Sequence, residues 1–259
     1  MSLLSVKDLS VRFGGLAAVN GFALEVREGE VLSLIGPNGA GKTTAFNAIT
    51  GYLAPSQGEI VFRGKSLKGL RPNRIAKLGL VRTFQKTSVF GGRSALENVL
   101  VGLHLHASQT PFEIMLGMPK VAREEIALKA EAARVLEFVG LKERKDELAN
   151  ALPYGEQRLL EIAIALAARP KLLLLDEPVS GMNPSETASF MAKLGEIRAL
   201  GITVLLVEHD MKMVMGVSDR VVVLSQGRVI ASGTPAEVQS DPEVIRAYLG
   251  ERYRKHAHG

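Results

Sequence analysis

An apolar run, a glycine-rich loop and a helix-compatible segment follow one another near the start of the chain. The loop from Gly36 to Thr43 reads Gly-Pro-Asn-Gly-Ala-Gly-Lys-Thr and fits the pattern G-x-x-x-x-G-K-[ST]. The run Val31 to Ile35 before it predicts a strand, and residues 44–49 after it have the apolar spacing of a helix. A chain with this order is strongly constrained, because the loop must connect a buried strand to the first turn of a helix.

The residue types of this loop suit a bound phosphate group. Glycines let successive backbone N–H groups point at one anion, and the N-terminus of the following helix adds partial positive charge. Lys42 brings a full positive charge to the outer phosphates, and the Thr43 hydroxyl is a candidate Mg²⁺ ligand. The alternative is a glycine-rich turn with an incidental lysine. The residues predicted to hold the phosphates are Gly36, Pro37, Asn38, Gly39, Ala40, Gly41, Lys42, Thr43 and Thr44.

Composition and charge exclude several other classes of function. The 259 residues are 46% hydrophobic, which is enough for one large domain. Cysteine is absent, so disulfides, thiolate metal sites and cysteine nucleophiles are excluded. The net charge of +5 suits phosphate, nucleic acid or an anionic membrane without choosing among them. No run approaches the roughly 18 consecutive apolar residues of a membrane span, and the start lacks a secretory signal pattern. We expect a cytosolic chain whose membrane role, if any, needs a partner.

The order of predicted elements indicates an α/β fold. Short β-like runs such as Leu4 to Val6 and Ser10 to Phe13 alternate with turns at the N-terminus and predict an antiparallel sheet. After Gly155, helices alternate with apolar strands, which indicates a parallel sheet covered by helices. We predict a single domain with an antiparallel β subdomain at 1–30 and 56–70, a catalytic core at 31–55, 71–93 and 170–230, a helical subdomain at 94–169 and a C-terminal extension at 231–259.

A second apolar strand ends in two carboxylates. Leu172 to Leu175 is followed directly by Asp176 and Glu177. The carboxyl edge of a parallel sheet is where ligands bind. If this strand neighbours the one before the glycine-rich loop, Asp176 can hold Mg²⁺, directly or through water, and Glu177 can polarise a water that attacks the γ-phosphate. The alternative interpretation is an acidic helix cap or turn.

A third motif lies between the glycine-rich loop and the acidic strand. Leu152 to Arg158 reads Leu-Pro-Tyr-Gly-Glu-Gln-Arg and lies before a predicted helix that starts at Gly155, shortly before the acidic strand. It resembles the signature of ABC ATPases, which usually reads L-S-G-G-Q. The resemblance covers nearly the whole chain and implies an ABC-type P-loop ATPase, with a RecA-like mixed core and a helical signature subdomain, that uses ATP and Mg²⁺. It also implies that this segment completes the ATP site of a second subunit through Leu152, Pro153, Tyr154, Gly155, Glu156 and Gln157.

The same resemblance assigns roles to four further residues. Phe13 would stack on adenine, and Gln85, at the end of a predicted strand Leu80 to Phe84, would meet Mg²⁺ or the attacking water. His209 would act as the switch histidine beside the γ-phosphate, and Asn183 belongs to the loop after the acidic strand. From local sequence alone, Phe13 could equally be a core residue, Gln85 a surface residue and His209 structural.

The signature departs from the family pattern at the serine position. Pro153 stands there and lacks both the hydroxyl and the backbone N–H that serine would offer to a phosphate. Our hypothesis is that Gly155 and the following backbone amides, with the dipole of their helix, make the γ-phosphate contact instead. Asn183 stands where the family commonly has aspartate.

Among ABC proteins, length and motifs favour a separate transporter subunit. DNA-repair members carry a long coiled-coil insertion and translation factors carry paired cassettes, and neither is present. The chain has no N-K-x-D motif, which favours ATP over GTP. The segments Val81 to Gln85, Leu152 to Arg158 and the stretch from Ala231 to Glu251 closely resemble the ATPases of branched-chain amino acid importers.

This resemblance implies a cytoplasmic ATPase on the inner face of the membrane. It implies three partners: a second ABC ATPase subunit, integral-membrane permease subunits and, indirectly, a solute-binding protein. The surface at Lys86 to Gly92 and Ser94 to Leu105 is the candidate for permease docking. Similar cassettes serve urea, short amides, aromatic acids or lipopolysaccharide export. A scaffold that binds DNA or ribosomes is a further alternative, although no basic, aromatic-rich stretch supports it.

Overall fold

Two β-sheets of different construction organise the chain. The computed structural model describes residues 2–83, 89–106 and 119–248. The strands in chain order are β1 (Ser2–Phe13), β2 (Leu16–Arg27), β3 (Val31–Ile35), β4 (Gln57–Phe62), β5 (Lys65–Ser66), β6 (Leu80–Arg82), β7 (Leu172–Asp176), β8 (Thr203–Val207), β9 (Arg220–Ser225) and β10 (Arg228–Gly233). The helices are α1 (Lys42–Ile49), α2 (Pro72–Lys77), α3 (Ala95–Leu103), α4 (Pro119–Val139), α5 (Tyr154–Ala167), α6 (Pro184–Ala199), α7 (Met211–Val217) and α8 (Pro235–Ser240). Residues 242–248 are also helical.

The first sheet is antiparallel, as predicted. Its strand order is β2-β1-β4-β5. The two short runs predicted within residues 4–13 belong to one strand, β1. A local irregularity lies between them but does not interrupt the strand. The register against β2 shifts between Val6 and Leu9, around Asp8, whose φ is +49°. The bulge breaks the alternation of apolar residues in the sequence without ending the strand.

The second sheet carries the parallel strands. Its order is β10-β9-β3-β8-β7-β6, and the pairs that involve β3, β6, β7 and β8 are parallel, whereas β10 is antiparallel to β9. Every residue of β3, β7 and β8 is buried, which explains their continuous apolar sequences. Strands β3 and β7 are not direct neighbours, because β8 lies between them, so the condition set for the roles of Asp176 and Glu177 is met only across one intervening strand. The ends of β3 and β7 are therefore about 10 Å apart across the sheet.

Three helices form a layer beside the parallel sheet. Leu136 of α4 and Val99 of α3 share an apolar cluster with Leu160 of α5. A Cβ atom at Gly102 would lie 2.3 Å from the carbonyl oxygen of Ile164, so glycine allows α3 and α5 to approach closely. Helix α5 begins one residue earlier than predicted.

The core has separate clusters on the two faces of the parallel sheet. One is the cluster shared with α3, α4 and α5. The other lies between the two sheets and α1 and includes Phe22, Phe46 and Leu174. A small third cluster joins Val238 and Val244 of the C-terminal helices to β9. None of the helices in the described parts of the chain is long and apolar enough to cross a membrane. The sequence boundaries assigned to the subdomains stay a prediction.

Candidate nucleotide-binding site

The glycine-rich loop connects β3 to α1 and depends on its glycines. Gly36 has φ +151° and Gly41 has φ +104°, both in a region that favours glycine. A Cβ atom at Gly36 would lie 2.0 Å from the carbonyl oxygen of Leu224, and one at Gly41 would lie 2.5 Å from that of Ala18. Side chains at these positions are therefore excluded both by torsion and by close approach of the backbone.

The loop places a cation and a helix N-terminus together. The Lys42 side chain is buried, and its Nζ atom donates to the carbonyl oxygens of Gly36 at 2.6 Å and Pro37 at 3.0 Å. Helix α1 starts at this lysine, after a glycine cap and without an acidic residue in its first turn. Thr43 is exposed and Thr44 half-buried beside it. This arrangement suits an anion, because the N–H groups at the start of α1 have no side-chain cap and the loop also carries the ammonium group.

The acidic pair lies at the carboxyl edge of the same sheet. Asp176 is 1% exposed, and its Oδ2 atom accepts a hydrogen bond from Arg82 Nη2 at 2.6 Å. Its Oδ1 atom is buried and has no hydrogen-bond partner among the described residues. A buried carboxylate oxygen without a partner fits a cation ligand, because burial without compensation is costly.

Glu177 and His209 come together at the ends of neighbouring strands. His209 Nε2 lies 2.6 Å from Glu177 Oε1. Glu177 has φ +50°, an uncommon conformation for a residue other than glycine, and its N–H donates to the carbonyl oxygen of Val207 at 2.8 Å. The strained backbone therefore turns the carboxylate away from the strand and toward the histidine of the β8 edge. Such a pair can take a proton from water and hold it.

The signature segment forms the N-terminus of α5. Pro153 is the N-cap residue, and the first intrahelical bond runs from the Gln157 N–H to the Pro153 carbonyl at 2.9 Å. The amides of residues 154–156 precede that bond and have no intrahelical acceptor. Gln157 Nε2 donates to the Leu152 carbonyl at 2.8 Å. Glu156 Oε2 lies 3.4 Å from Arg144 Nε. These amides are the candidates for the γ-phosphate contact, and their replacement of the missing serine contact stays a prediction.

Tyr154 joins this segment to the loop after the acidic strand. Its hydroxyl donates to the Ser180 carbonyl at 2.9 Å and accepts from Arg158 Nη2 at 2.7 Å. Burial alone would lower the pKa of Arg158, but hydrogen bonds to Glu161 and Tyr154 raise it on balance. The guanidinium therefore stays charged and holds the tyrosine ring in place.

Comparison with known proteins identifies the family. Residues 19–180 match the family described as ABC transporter, and residues 228–254 match the family described as branched-chain amino acid ATP-binding cassette transporter. The chain belongs to the ABC transporter family. This ABC cassette is 48% identical over 250 residues to the high-affinity branched-chain amino acid transport ATP-binding protein LivG of Salmonella typhimurium, covering 96% of this chain and 98% of the relative.

Other relatives of the cassette agree with this assignment. The protein named BraF, with the same description, from Pseudomonas aeruginosa is 46% identical over 96% of this chain and 98% of its own length. Among solved structures, a nucleotide-free ATP-binding cassette from an ABC transporter superposes with a TM-score of 0.84 at 32% identity, covering 96% of this chain and 99% of the other. An ADP conformation of such a cassette also gives a TM-score of 0.84, at 33% identity with the same coverage.

Three residues assigned by resemblance have different outcomes in the cassette. Phe13 is 52% exposed at the end of β1, so its interpretation as a core residue is wrong, and its contact with adenine stays a prediction. Gln85 lies outside the described residues. Asn183 caps α6, because its Oδ1 atom accepts from the N–H groups of Ser185 and Glu186. Its predicted role toward nucleotide is untested.

The sequence interpretation missed Arg82. This arginine is the last residue of the apolar strand β6 and is nearly buried, yet we predicted no role for it from the sequence. The available signal was a charged residue within a strand that is otherwise apolar. Its partner could not be identified from the sequence, because Asp176 lies 94 residues away in the chain.

Proposed function

We propose that this chain is the ATP-hydrolysing subunit of an importer for branched-chain amino acids, bound to the cytoplasmic face of the membrane. The observation that carries the proposal is its similarity over nearly the full length, at 46–48% identity, to proteins named for that transport. The match of residues 228–254 to a branched-chain amino acid cassette family supports the same solute class. Cassettes for urea, amides, aromatic acids or lipopolysaccharide remain the alternatives.

In this proposal, the triphosphate of ATP lies on the loop at 36–43. Lys42 exchanges its two carbonyl partners for phosphate oxygens, which keeps the buried ammonium group solvated. Thr43, Gln85 and Asp176 would hold Mg²⁺, which neutralises charge on the phosphates. Among the described residues, no group of three His, Cys, Asp or Glu side chains could hold a metal, so hydroxyl, amide and phosphate oxygens would complete this site.

Glu177 is proposed as the general base and His209 as its partner. The carboxylate orients the attacking water and takes its proton, and His209 donates to the γ-phosphate side of the site. The 2.6 Å contact between them keeps both side chains at one sheet edge. The amides at residues 154–156, which have no intrahelical acceptor, would contact the γ-phosphate held by a second ABC subunit, so that ATP binding closes the pair.

A groove beside α3 and α5 is our proposed docking site for a permease helix. It has a volume of about 270 Å³ and a mainly apolar lining that includes Val81, Val101, Leu105 and Ile164. Val101 is 49% exposed there, and Phe90, also exposed, lies in the chain just before α3. An apolar groove between helices suits an amphipathic helix with apolar anchors. The groove belongs to the segment at 94–105 that the sequence favoured.

Replacing Val101 with glutamate should prevent permease binding without affecting the isolated ATPase. A buried carboxylate in the groove would weaken docking by roughly tenfold or more, because its desolvation is not compensated. The measurement is co-purification of the permease subunits, together with nucleotide binding by the isolated cassette. Ile126→Glu is the matched control, since Ile126 is 69% exposed on α4. Equal loss of permease binding in both variants would contradict the proposed groove.

Reconstitution tests the proposed function as a whole. The cassette, its permease subunits and the solute-binding protein are placed in proteoliposomes, and ATP-dependent uptake of leucine, isoleucine and valine is measured. Uptake of these solutes, abolished by Lys42→Met, is the expected result. Uptake of urea, an amide or an aromatic acid instead would show that the branched-chain amino acid assignment is wrong. Co-purification with nucleic acid and no permease would overturn the transport assignment.

A further inference from the structure

Arg82 connects three elements around the acidic strand. Its Nη2 atom donates to Asp176 Oδ2 at 2.6 Å, and its Nη1 atom donates to Asn47 Oδ1 at 2.6 Å. The guanidinium carbon lies 5.5 Å from the centroid of the Phe46 ring. The side chains of Arg82 and Asp176 are 6% and 1% exposed. One buried arginine therefore joins β6 and β7 to α1, the helix that follows the glycine-rich loop.

This connection matters because it reaches α1, which is not part of the sheet. The sheet relates Asp176 to β3 through β8, where Val207 pairs with both Leu34 and Asp176, but it does not include the helix that carries Thr43. Thr43 lies in the first turn of α1, and Asn47, the Arg82 partner, lies one turn further along the same helix. A rigid contact from Asn47 through Arg82 to Asp176 therefore sets the spacing between the two oxygen ligands.

We propose that Arg82 is a positioning residue for the metal ion of the ATP site. By occupying Oδ2, it fixes the Asp176 carboxylate so that Oδ1, which has no hydrogen-bond partner among the described residues, is left for the cation. Carboxylate ligands of metals are held in this way by outer hydrogen bonds, and their loss weakens metal binding. The inference rests on the proposed Mg²⁺ site at Thr43 and Asp176.

A purely structural ion pair would have a different signature. Breaking any buried pair destabilises the protein, because one charge is left without compensation. Reduced thermal stability of an Arg82 variant is therefore expected under both interpretations. A positioning role additionally requires that metal affinity falls while nucleotide affinity without metal does not, since Arg82 holds Asp176, a candidate metal ligand, whereas Gly36 and Pro37 of the phosphate loop hold Lys42.

The test compares Arg82→Met and Arg82→Lys with the wild-type cassette. Binding of Mn²⁺ in the presence of saturating ADP is measured by the electron paramagnetic resonance signal of free Mn²⁺, and ADP affinity is measured separately in EDTA. Arg82→Met should bind Mn²⁺ about 10- to 100-fold more weakly, as for other outer partners of metal ligands. Its ADP affinity in EDTA should stay within about twofold of wild type, because the phosphate loop is unchanged.

The lysine variant and a matched control complete the design. Arg82→Lys keeps the charge but not the fork of donors, so an intermediate Mn²⁺ affinity is expected, and this folded variant carries the test if Arg82→Met does not fold. The control is Arg220→Met, which breaks the partly buried pair between Arg220 and Glu30, 2.9 Å apart, at the start of β9. It should lose thermal stability and keep wild-type Mn²⁺ affinity.

Two results would overturn the inference, and a third concerns the site itself. Wild-type Mn²⁺ affinity in the Arg82 variants, or a parallel loss of ADP affinity in EDTA, would show that Arg82 is only structural. Asp176→Asn distinguishes the underlying metal site. If that variant binds Mn²⁺ as tightly as wild type, the proposed Mg²⁺ site is wrong and the role of Arg82 falls with it. A loss in Asp176→Asn with none in Arg82→Met would leave the site intact and reject only the positioning role.

Discussion

Replacing Glu177 with glutamine should abolish ATP hydrolysis while ATP still binds and holds two cassettes in the closed pair. The amide cannot accept a proton from the attacking water, so the rate should fall by about 10²- to 10⁴-fold. Glutamine has nearly the same size, and it meets the same φ of +50° as the native residue. The fold and the loop that holds the phosphates should therefore be unaffected. ATPase assays and size-exclusion chromatography with ATP measure the two effects.

A surface carboxylate provides the control for this variant. Glu131 of α4 pairs with Arg169, just after the end of α5, at 2.8 Å, and Glu131→Gln should hydrolyse ATP at the wild-type rate. The expected contrast is a trapped dimer only in Glu177→Gln. Wild-type hydrolysis in Glu177→Gln would refute the assignment of this residue as the general base.

Replacing Gly155 with leucine should abolish nucleotide-dependent association and turnover. The bulky side chain would stand among the amides of residues 154–156, which have to approach the γ-phosphate of the second subunit. Loss of several hydrogen bonds to a charged group, each worth about 1.5–3 kcal/mol, should weaken association by at least about 100-fold. The measurement is dimer formation with ATP in a background that cannot hydrolyse it, together with turnover in the wild-type background.

The structure adds a necessary control to this experiment. A Cβ atom at position 155 would lie 2.7 Å from Glu186 Oε1, and Glu186 also closes the capping box of α6 with Asn183. Glu186→Ala should cost about 1 kcal/mol through the lost cap and leave association intact. Monomeric Gly155→Leu should still bind ATP, because the loop at 36–43 is elsewhere in the chain. Normal turnover in Gly155→Leu would reject the proposed role of these amides.

The sequence predicted well the features that local chemistry determines. Strand β7 extends one residue beyond the predicted run Leu172 to Leu175 and includes Asp176. Continuous apolar runs permit few alternatives in a sheet buried on both faces. The loop at 36–43 was predicted for the same reason, since its glycines are required by torsions and contacts within a short segment.

Long-range relationships could not be predicted in this way. The position of β8 between β3 and β7 depends on how crossover connections are placed, and no local pattern encodes that order. Arg82 meets Asn47 across 35 positions and Asp176 across 94 positions. The capping role of Asn183 was missed for a simpler reason. The residue was interpreted only through its place in the family pattern, although the sequence Asn-Pro-Ser-Glu is itself a helix-start signal.

The hydroxyl group of Tyr154 connects the signature segment of this subunit to the loop that follows its acidic strand. Tyr154 lies on the segment that would be offered to a neighbour's ATP, and its partner Ser180 lies on the loop that follows the subunit's own Glu177. The Ser180 N–H in turn donates to the Glu177 carbonyl at 3.2 Å. A displacement of either segment therefore reaches the other through one short chain of hydrogen bonds. In the proposed pair of cassettes, these hydrogen bonds would connect the ATP site that a chain completes for its neighbour with the ATP site that it carries itself.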